Sequence, residues 1–319
     1  MIRLDDRAAA GAARRQREID QPEQGRSRIH APLVPRPAPL HKRGVSDSEI
    51  FDRALRRKRR DRAARSYESF LRDHMLDGLY ERLEGVKRTF RTVLDLGSAD
   101  GSFVWPGATI TRLEAGAAFA AASGAIHADE DMHPFPEASF DLVISAGVLD
   151  TVNDVPGALA LARRALKPDG LFLGAFLGAG SLATLRACLL AAESDRPVAR
   201  FHPQIDVRAA GDLLSRAGFT LPVADVETLT VRYGGLGGLI RDLRGMAATN
   251  LLPKTPPLRR ETLLGTAAAF AERADPDGRT PERYSIVYLT GWAPDPSQPK
   301  PARPGSATTS LADALKPKG

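Results

Sequence analysis

The chain has 319 residues, 43% of them hydrophobic, which is enough for one sizeable core with accessory segments and excludes a fully disordered protein. A single cysteine, Cys188, excludes an intramolecular disulfide and any multi-cysteine metal site and points to a reducing compartment. The formal charge of +6 is uneven: residues 1 to 66 hold 18 Lys and Arg against 9 Asp and Glu, and the rest hold 27 against 30. A basic leader on a slightly acidic body argues against a specific nucleic-acid groove and suits contact with an acidic protein, an RNA or an anionic membrane surface.

Residues 1–45 are rich in Arg, Ala, Gln and Pro, and APLVPRPAPL, from Ala31 to Leu40, is too proline-dense for helix or strand; a disordered basic tail is expected. The opening MIRLDD has no apolar signal core, and the most apolar run, Gly170 to Ala192, is cut by Arg186 before about 18 residues accumulate. No transmembrane segment and a cytoplasmic location are the expectation. Residues 46–90 read as a helical segment starting at Asp47 or Ser48, with Ile50, Leu55, Phe70, Leu71, Met75, Leu79 and Leu83 at loosely helical spacing around a basic centre.

From Arg91 the period changes. TVLDLG, TITRLE, GAIHAD, FDLVISAG and GLFLGAFLG are short apolar runs interleaved with helix-length segments such as Val155 to Leu166. That alternation predicts a parallel α/β sheet covered on both faces, in a domain over residues 91–292. VETLTVRY (Val226 to Tyr233) and YSIVYLTGW (Tyr284 to Trp292) add two strands, with a helical lid insertion about 234–282 between them. Residues 293–319 read as a loose tail.

The chemistry concentrates in VLDLGSADG, Val93 to Gly101, where a strand ends in Asp95 before Gly97, Ala99 and Gly101. A nucleotide-type ligand needs such a turn because side chains there would keep backbone amides from approaching it, although glycine turns also occur for steric reasons alone. Glu114 ends the second strand, where a carboxylate can accept ribose hydroxyls, and Asp129 ends the third, where it can receive an exocyclic amine. Glu130 and Ser145 complete the candidate cofactor-binding set.

This order resembles the class I methyltransferases dependent on S-adenosyl-L-methionine (SAM), and LKPDG is characteristic of their fifth-strand region. From about Ile50 to Leu311 the chain is similar to the complex I assembly factor 5 family, carried by IFDRALRRKRRDRAAR, HADEDMHPFPEASFDLV, VRYGGLGGLIRDLRGMAATN and YLTGWAPDPSQPKPARPGSATTS. The resemblance implies a Rossmann-like seven-stranded sheet with its last strand antiparallel, SAM as cofactor, and a protein substrate, an NADH dehydrogenase subunit, with arginine hydroxylation as the linked activity. The alternatives are the malonyl carrier-protein O-methyltransferase of biotin synthesis, using the basic helix to meet an acidic carrier, and a non-catalytic assembly factor. The chain departs from the family pattern at Ala99 and Asp100 in the glycine turn, and at Asp150 and Thr151, where relatives often carry His and Trp. Trp105, Pro106 and Gly107 leave no room for a regular helix between the first two strands. Methyl transfer needs mainly positioning in a dry pocket, so no catalytic residue is assigned.

Other groups read blandly. His127 and Asp129, with distant His202, have the residue types of an iron-binding triad, but HxD ligation belongs to all-β scaffolds and no metal is expected. Cys188 in LATLRACLLAA reads as core. GGLGGL, Gly234 to Leu239, lacks the Lys-Ser/Thr of a phosphate loop and reads as a lid hinge. Arg56 to Arg60 reads as a solvated face or a contact for substrate or partner.

Overall fold

The computed structural model describes residues 49–195 and 198–299; the tail of residues 1–45, the Asp47 and Ser48 caps and the last twenty residues lie outside them. The single helical lead-in expected from the sequence is two helices, α1 (Arg53–Ala63) and α2 (Phe70–Glu84). Asp52 caps α1, its carboxylate accepting the Leu55 N–H at 2.9 Å. Tertiary contacts interrupt the helical pattern: Tyr67 turns edge-on to Phe119, with ring centroids 5.0 Å apart, and the Glu68 N–H reaches the Gly245 carbonyl.

Seven strands follow: β1 (Thr92–Leu96), β2 (Thr109–Glu114), β3 (Ile126–His127), β4 (Phe140–Ala146), β5 (Leu166–Leu177), β6 (Thr220–Tyr233) and β7 (Thr280–Trp292). They form one sheet in the order β3-β2-β1-β4-β5-β7-β6. The strands β1 to β5 pair in parallel, and β7 runs antiparallel to both β5 and β6. This is the expected class I methyltransferase sheet. Its order reverses between β1 and β4, and a ligand of such a sheet sits at the carboxyl ends of the strands at that switch point.

The helices α3 (Ala117–Ser123), α4 (Val155–Ala165), α5 (Ala183–Ala192), α6 (Val207–Arg216), α7 (Leu236–Gly245) and α8 (Arg260–Ala271) complete the layers. Among the described residues no helix separates β1 from β2. Residues 97–108 cross as a loop, pinned where buried Phe103 stacks on Tyr80 of α2 with centroids 5.4 Å apart. Both α7 and α8 lie between β6 and β7.

Alternation along the strands feeds two cores. Leu171, Leu173 and Ala175 of β5 join Met75, Leu79, Cys188, Phe270, Tyr284 and Tyr288 on one face. Phe172 and Phe176 join Leu159, Ala210, Leu214 and Val287 on the other. The helix α2 is seated tightly on the first face: a Cβ at Gly78 would lie 2.5 Å from the hydroxyl of Tyr288, and Arg82 lies over that ring at 3.9 Å. Gly78→Ala is expected to destabilise the fold by about 1–3 kcal/mol through overpacking, more than the helix propensity it gains. Urea unfolding monitored by circular dichroism measures it; an unchanged or raised midpoint would show that Tyr288 yields freely.

Candidate cofactor site

The turn after β1 is hooked to β2 by the N–H groups of Gly97 and Ser98, which donate to the Leu113 carbonyl at 2.9 and 3.1 Å. Gly97 and Gly101 have φ of +73° and +72°, so both need the left-handed freedom of glycine. They also fit their own protein: a Cβ at Gly97 would lie 2.5 Å from the Val148 methyls, and one at Gly101 would lie 3.1 Å from Arg112 Nε. Ala99 holds φ of +47°, a conformation that costs an L-residue about 1–2 kcal/mol. Its methyl is buried in a cluster with Ala63 of α1, Phe119 and Ala247.

Every acidic member of the candidate set faces an arginine from the two N-terminal helices. Glu114 receives Arg60 through both oxygens, with Nη2 at 2.6 Å from Oε2, and also accepts the N–H groups of Ala99 and Gly116 at 2.9 and 2.8 Å. Glu130 receives Arg56 bidentately at 2.8 and 2.9 Å. Asp129 receives Arg57 and, at 3.4 Å, Arg53, whose guanidinium also grips Asp131 by two bonds of 2.7 Å. Asp95 is met by Arg72 of α2 at 3.3 and 3.4 Å, and Arg72 also donates to Ser102.

The electrostatics differ along this row. Burial alone would raise the pKa of Glu114, but Arg60 and the two backbone N–H groups hold it below the ordinary carboxylate range. At Asp95 burial dominates and raises it, because the longer contacts of Arg72 compensate less. The oxygens Ser98 Oγ and Ser145 Oγ are buried without a hydrogen-bond partner, at the turn and at the end of β4. The turn also borders a cavity of about 50 Å³, lined by Arg60, Tyr67, Gly97, Ala99, Phe119 and Asp150.

The basic run is therefore corrected. Arg56 and Arg60 are only 5% and 7% exposed, Arg59 donates to Thr249, and Lys58 is the member that faces solvent. The signal was in the spacing: 53, 56, 57 and 60 fall on one helical face, the pattern of a buried stripe written in arginine. The departures at 99 and 151 meet the same helix, since Thr151 Oγ1 accepts Arg56 Nε at 3.2 Å. Of the other candidates, His127 bonds the Ala115 carbonyl and His202 accepts the Leu251 N–H at 2.8 Å. Cys188 is fully buried; of the GGLGGL segment, Gly234 and Gly235 precede α7, and Gly237 and Gly238 sit in its first turn.

Residues 94–174 match a methyltransferase domain family. The chain is 34% identical to the mitochondrial arginine-hydroxylase NDUFAF5 of Danio rerio over 84% of its length and 90% of that protein. It is 36% identical to the Rattus norvegicus form over 84% of each chain. It is 30% identical to the malonyl-[acyl-carrier protein] O-methyltransferase of Methylovorus sp. (strain MP688), over 86% of its length and 96% of that enzyme. The hydroxylase relatives overturn the cytoplasmic expectation: they are mitochondrial by name, and neither a lone cysteine nor a missing signal core distinguishes those compartments.

Burial pushes the Asp150 carboxyl up to about 6, against a downward pull from Arg56 and Arg60. The folded state thus binds this proton more tightly than the unfolded chain does. Asp150 has no net effect below about pH 4 and becomes destabilising as pH rises through 6. Asp150→Asn is expected to match the wild type at pH 4 and to exceed it by about 1–3 kcal/mol at pH 7.5. Urea melts of both proteins at the two pH values measure this, and a pH-independent difference would refute it.

Proposed function

We propose, because this chain belongs to the arginine-hydroxylase NDUFAF5 family, that it binds SAM at the carboxyl ends of β1 to β3 and acts on a protein substrate, a subunit of NADH dehydrogenase, during assembly of that complex. The observation that carries the reading is the row of Asp95, Glu114 and Asp129 at the carboxyl ends of the adjacent strands β1, β2 and β3, with Glu114 accepting the Ala99 N–H of the turn beside the switch point of the sheet. Carboxylates accept only, and ribose hydroxyls and an adenine amine are donors, so the acceptor set fits. The orphaned hydroxyls of Ser98 and Ser145 support the fit, since buried polar atoms without partners mark sites completed by something else.

SAM, when bound, supplies an electrophilic methyl group. In this reading Glu114 holds the ribose and Asp129 the adenine amine, with Glu130 beside them, while the amides of the Gly97, Ala99 and Gly101 turn and Ser145 border the rest. Asp150, in the cavity wall with its carboxyl near 6, can take and return a proton close to neutral pH. The carrier-protein alternative is disfavoured, because it needs the basic helix as an outward face and Arg56 and Arg60 are buried.

Calorimetric titration with SAM and S-adenosylhomocysteine tests the reading. Binding is expected, and Glu114→Ala should weaken it by about 1–3 kcal/mol through loss of charge-assisted hydrogen bonds. Unchanged affinity in that variant would reject the site. A folded wild-type chain that binds neither compound would favour an assembly factor that keeps the fold without the cofactor.

A further inference from the structure

The carboxylates proposed for the cofactor are held by the chain itself, and the obstruction is not confined to side-chain ends. A Cβ at Gly116 would lie 2.8 Å from the Cβ of Arg60 and 3.3 Å from Asp61 Oδ1, so the body of α1 rests directly on the end of β2. Asp61 ties that contact by accepting the Ala118 N–H at 2.8 Å. The nearby cavity of about 50 Å³ is lined by Arg60 and Ala99 and does not reach Glu114, which Arg60 and the turn close off. Pockets that enclose a small ligand run to roughly 300–1,000 Å³. A ribose has no room between Glu114 and α1 in this conformation.

Resting on the SAM reading above, we infer that α1 is a latch acting in cis: its C-terminal half, residues 57–63, occupies the cofactor cleft and must lift off Glu114 and Asp129 before a nucleoside enters. The two halves of the helix are fastened differently. The N-terminal end is tied by its backbone, with Phe51 bonded to both ends of the Asn153 amide at 2.8 and 2.9 Å and the Asp52 N–H on the Leu251 carbonyl at 3.0 Å, and by Arg53 on Asp131 and Arg56 on Glu130, with only a longer 3.4 Å contact from Arg53 to Asp129. The C-terminal half is held by the groups the ligand would use, Glu114 and Asp129, by the packing of Ala63 on Ala99, and by two contacts outside the ligand set, Asp61 on the Ala118 N–H and Arg59 on Thr249. The Arg57 and Arg60 contacts and the ligand are mutually exclusive, so the free energy of closure is subtracted from the affinity for the nucleoside. The first half is the hinge and the second the moving part.

Amide hydrogen exchange over residues 57–66, with and without S-adenosylhomocysteine, is combined with calorimetric binding on the full chain. Two variants are compared with the wild type. Arg57→Gln with Arg60→Gln removes the hold on Glu114 and leaves only the 3.4 Å contact of Arg53 on Asp129; Gly116→Ala keeps every charge and displaces Arg60, its Cβ lying 2.8 Å from Arg60 Cβ against 3.3 Å from Glu114 Oε1, and φ of −89° at Gly116 admits alanine. The latch predicts that ligand speeds exchange at residues 57–66 of the wild type at least tenfold and that each variant binds at least tenfold more tightly. If the double variant does not fold, the wild-type exchange and Gly116→Ala still decide. Ligand binding with residues 57–66 equally or better protected overturns the latch and leaves the SAM site standing, with α1 as its wall. No binding by the wild type or by either folded variant removes the SAM reading and the latch with it.

Discussion

The arrangement at the carboxyl edge of the sheet depends on one constraint: a row of buried carboxylates must be compensated, and the compensation comes from arginines on a single helical face. Glu114 and Glu130 are fully buried, and each is met bidentately by an arginine that is itself nearly buried. Burying such charges is unfavourable unless the geometry is good, and removing one partner of a buried pair costs about 3–5 kcal/mol. The position of α1 is thereby fixed by charge more than by apolar packing. Its apolar contribution to the site is small, chiefly Ala63 in the cluster with Ala99, Phe119 and Ala247.

The row is unevenly satisfied, and the unevenness follows the chemistry proposed for it. Glu114 has four donors and sits below the ordinary carboxylate range, whereas Asp95 has only longer contacts with Arg72 and is raised by burial. Close by, Asp150 is raised, and two serine hydroxyls are unpaired. A fold selected for packing alone would not leave these polar groups half-answered along one edge of the sheet. An exchange of partners, arginine for ligand, needs this kind of site, because the charged groups are satisfied in both states and exposed without a partner in neither.

Much of the fold was legible in the sequence because the β1, β4 and β5 runs are mostly apolar and alternate with helix-length segments, the pattern of a doubly covered parallel sheet. The loop in place of a helix between β1 and β2 was legible from Trp105, Pro106 and Gly107. The strand ends were less so: β6 begins at Thr220 and β7 at Thr280, earlier than the β-branched runs suggest, because pairing between the two strands extends through polar residues such as Asp225 and Glu282. The candidate site was half legible. Its carboxylates stand out at strand ends, but their partners were hidden by residue type, since a stripe at 53, 56, 57 and 60 would read as a buried face in leucine and reads as a solvated one in arginine. Only the matching row of acids in space shows which way that stripe turns.

The most direct test of the account is a crystal structure of the full chain with S-adenosylhomocysteine. It should place the nucleoside against Glu114 and Asp129 with the Arg60 guanidinium withdrawn from Glu114. A nucleoside bound elsewhere on the sheet, or bound at these carboxylates with the Arg60–Glu114 pair intact, would contradict it.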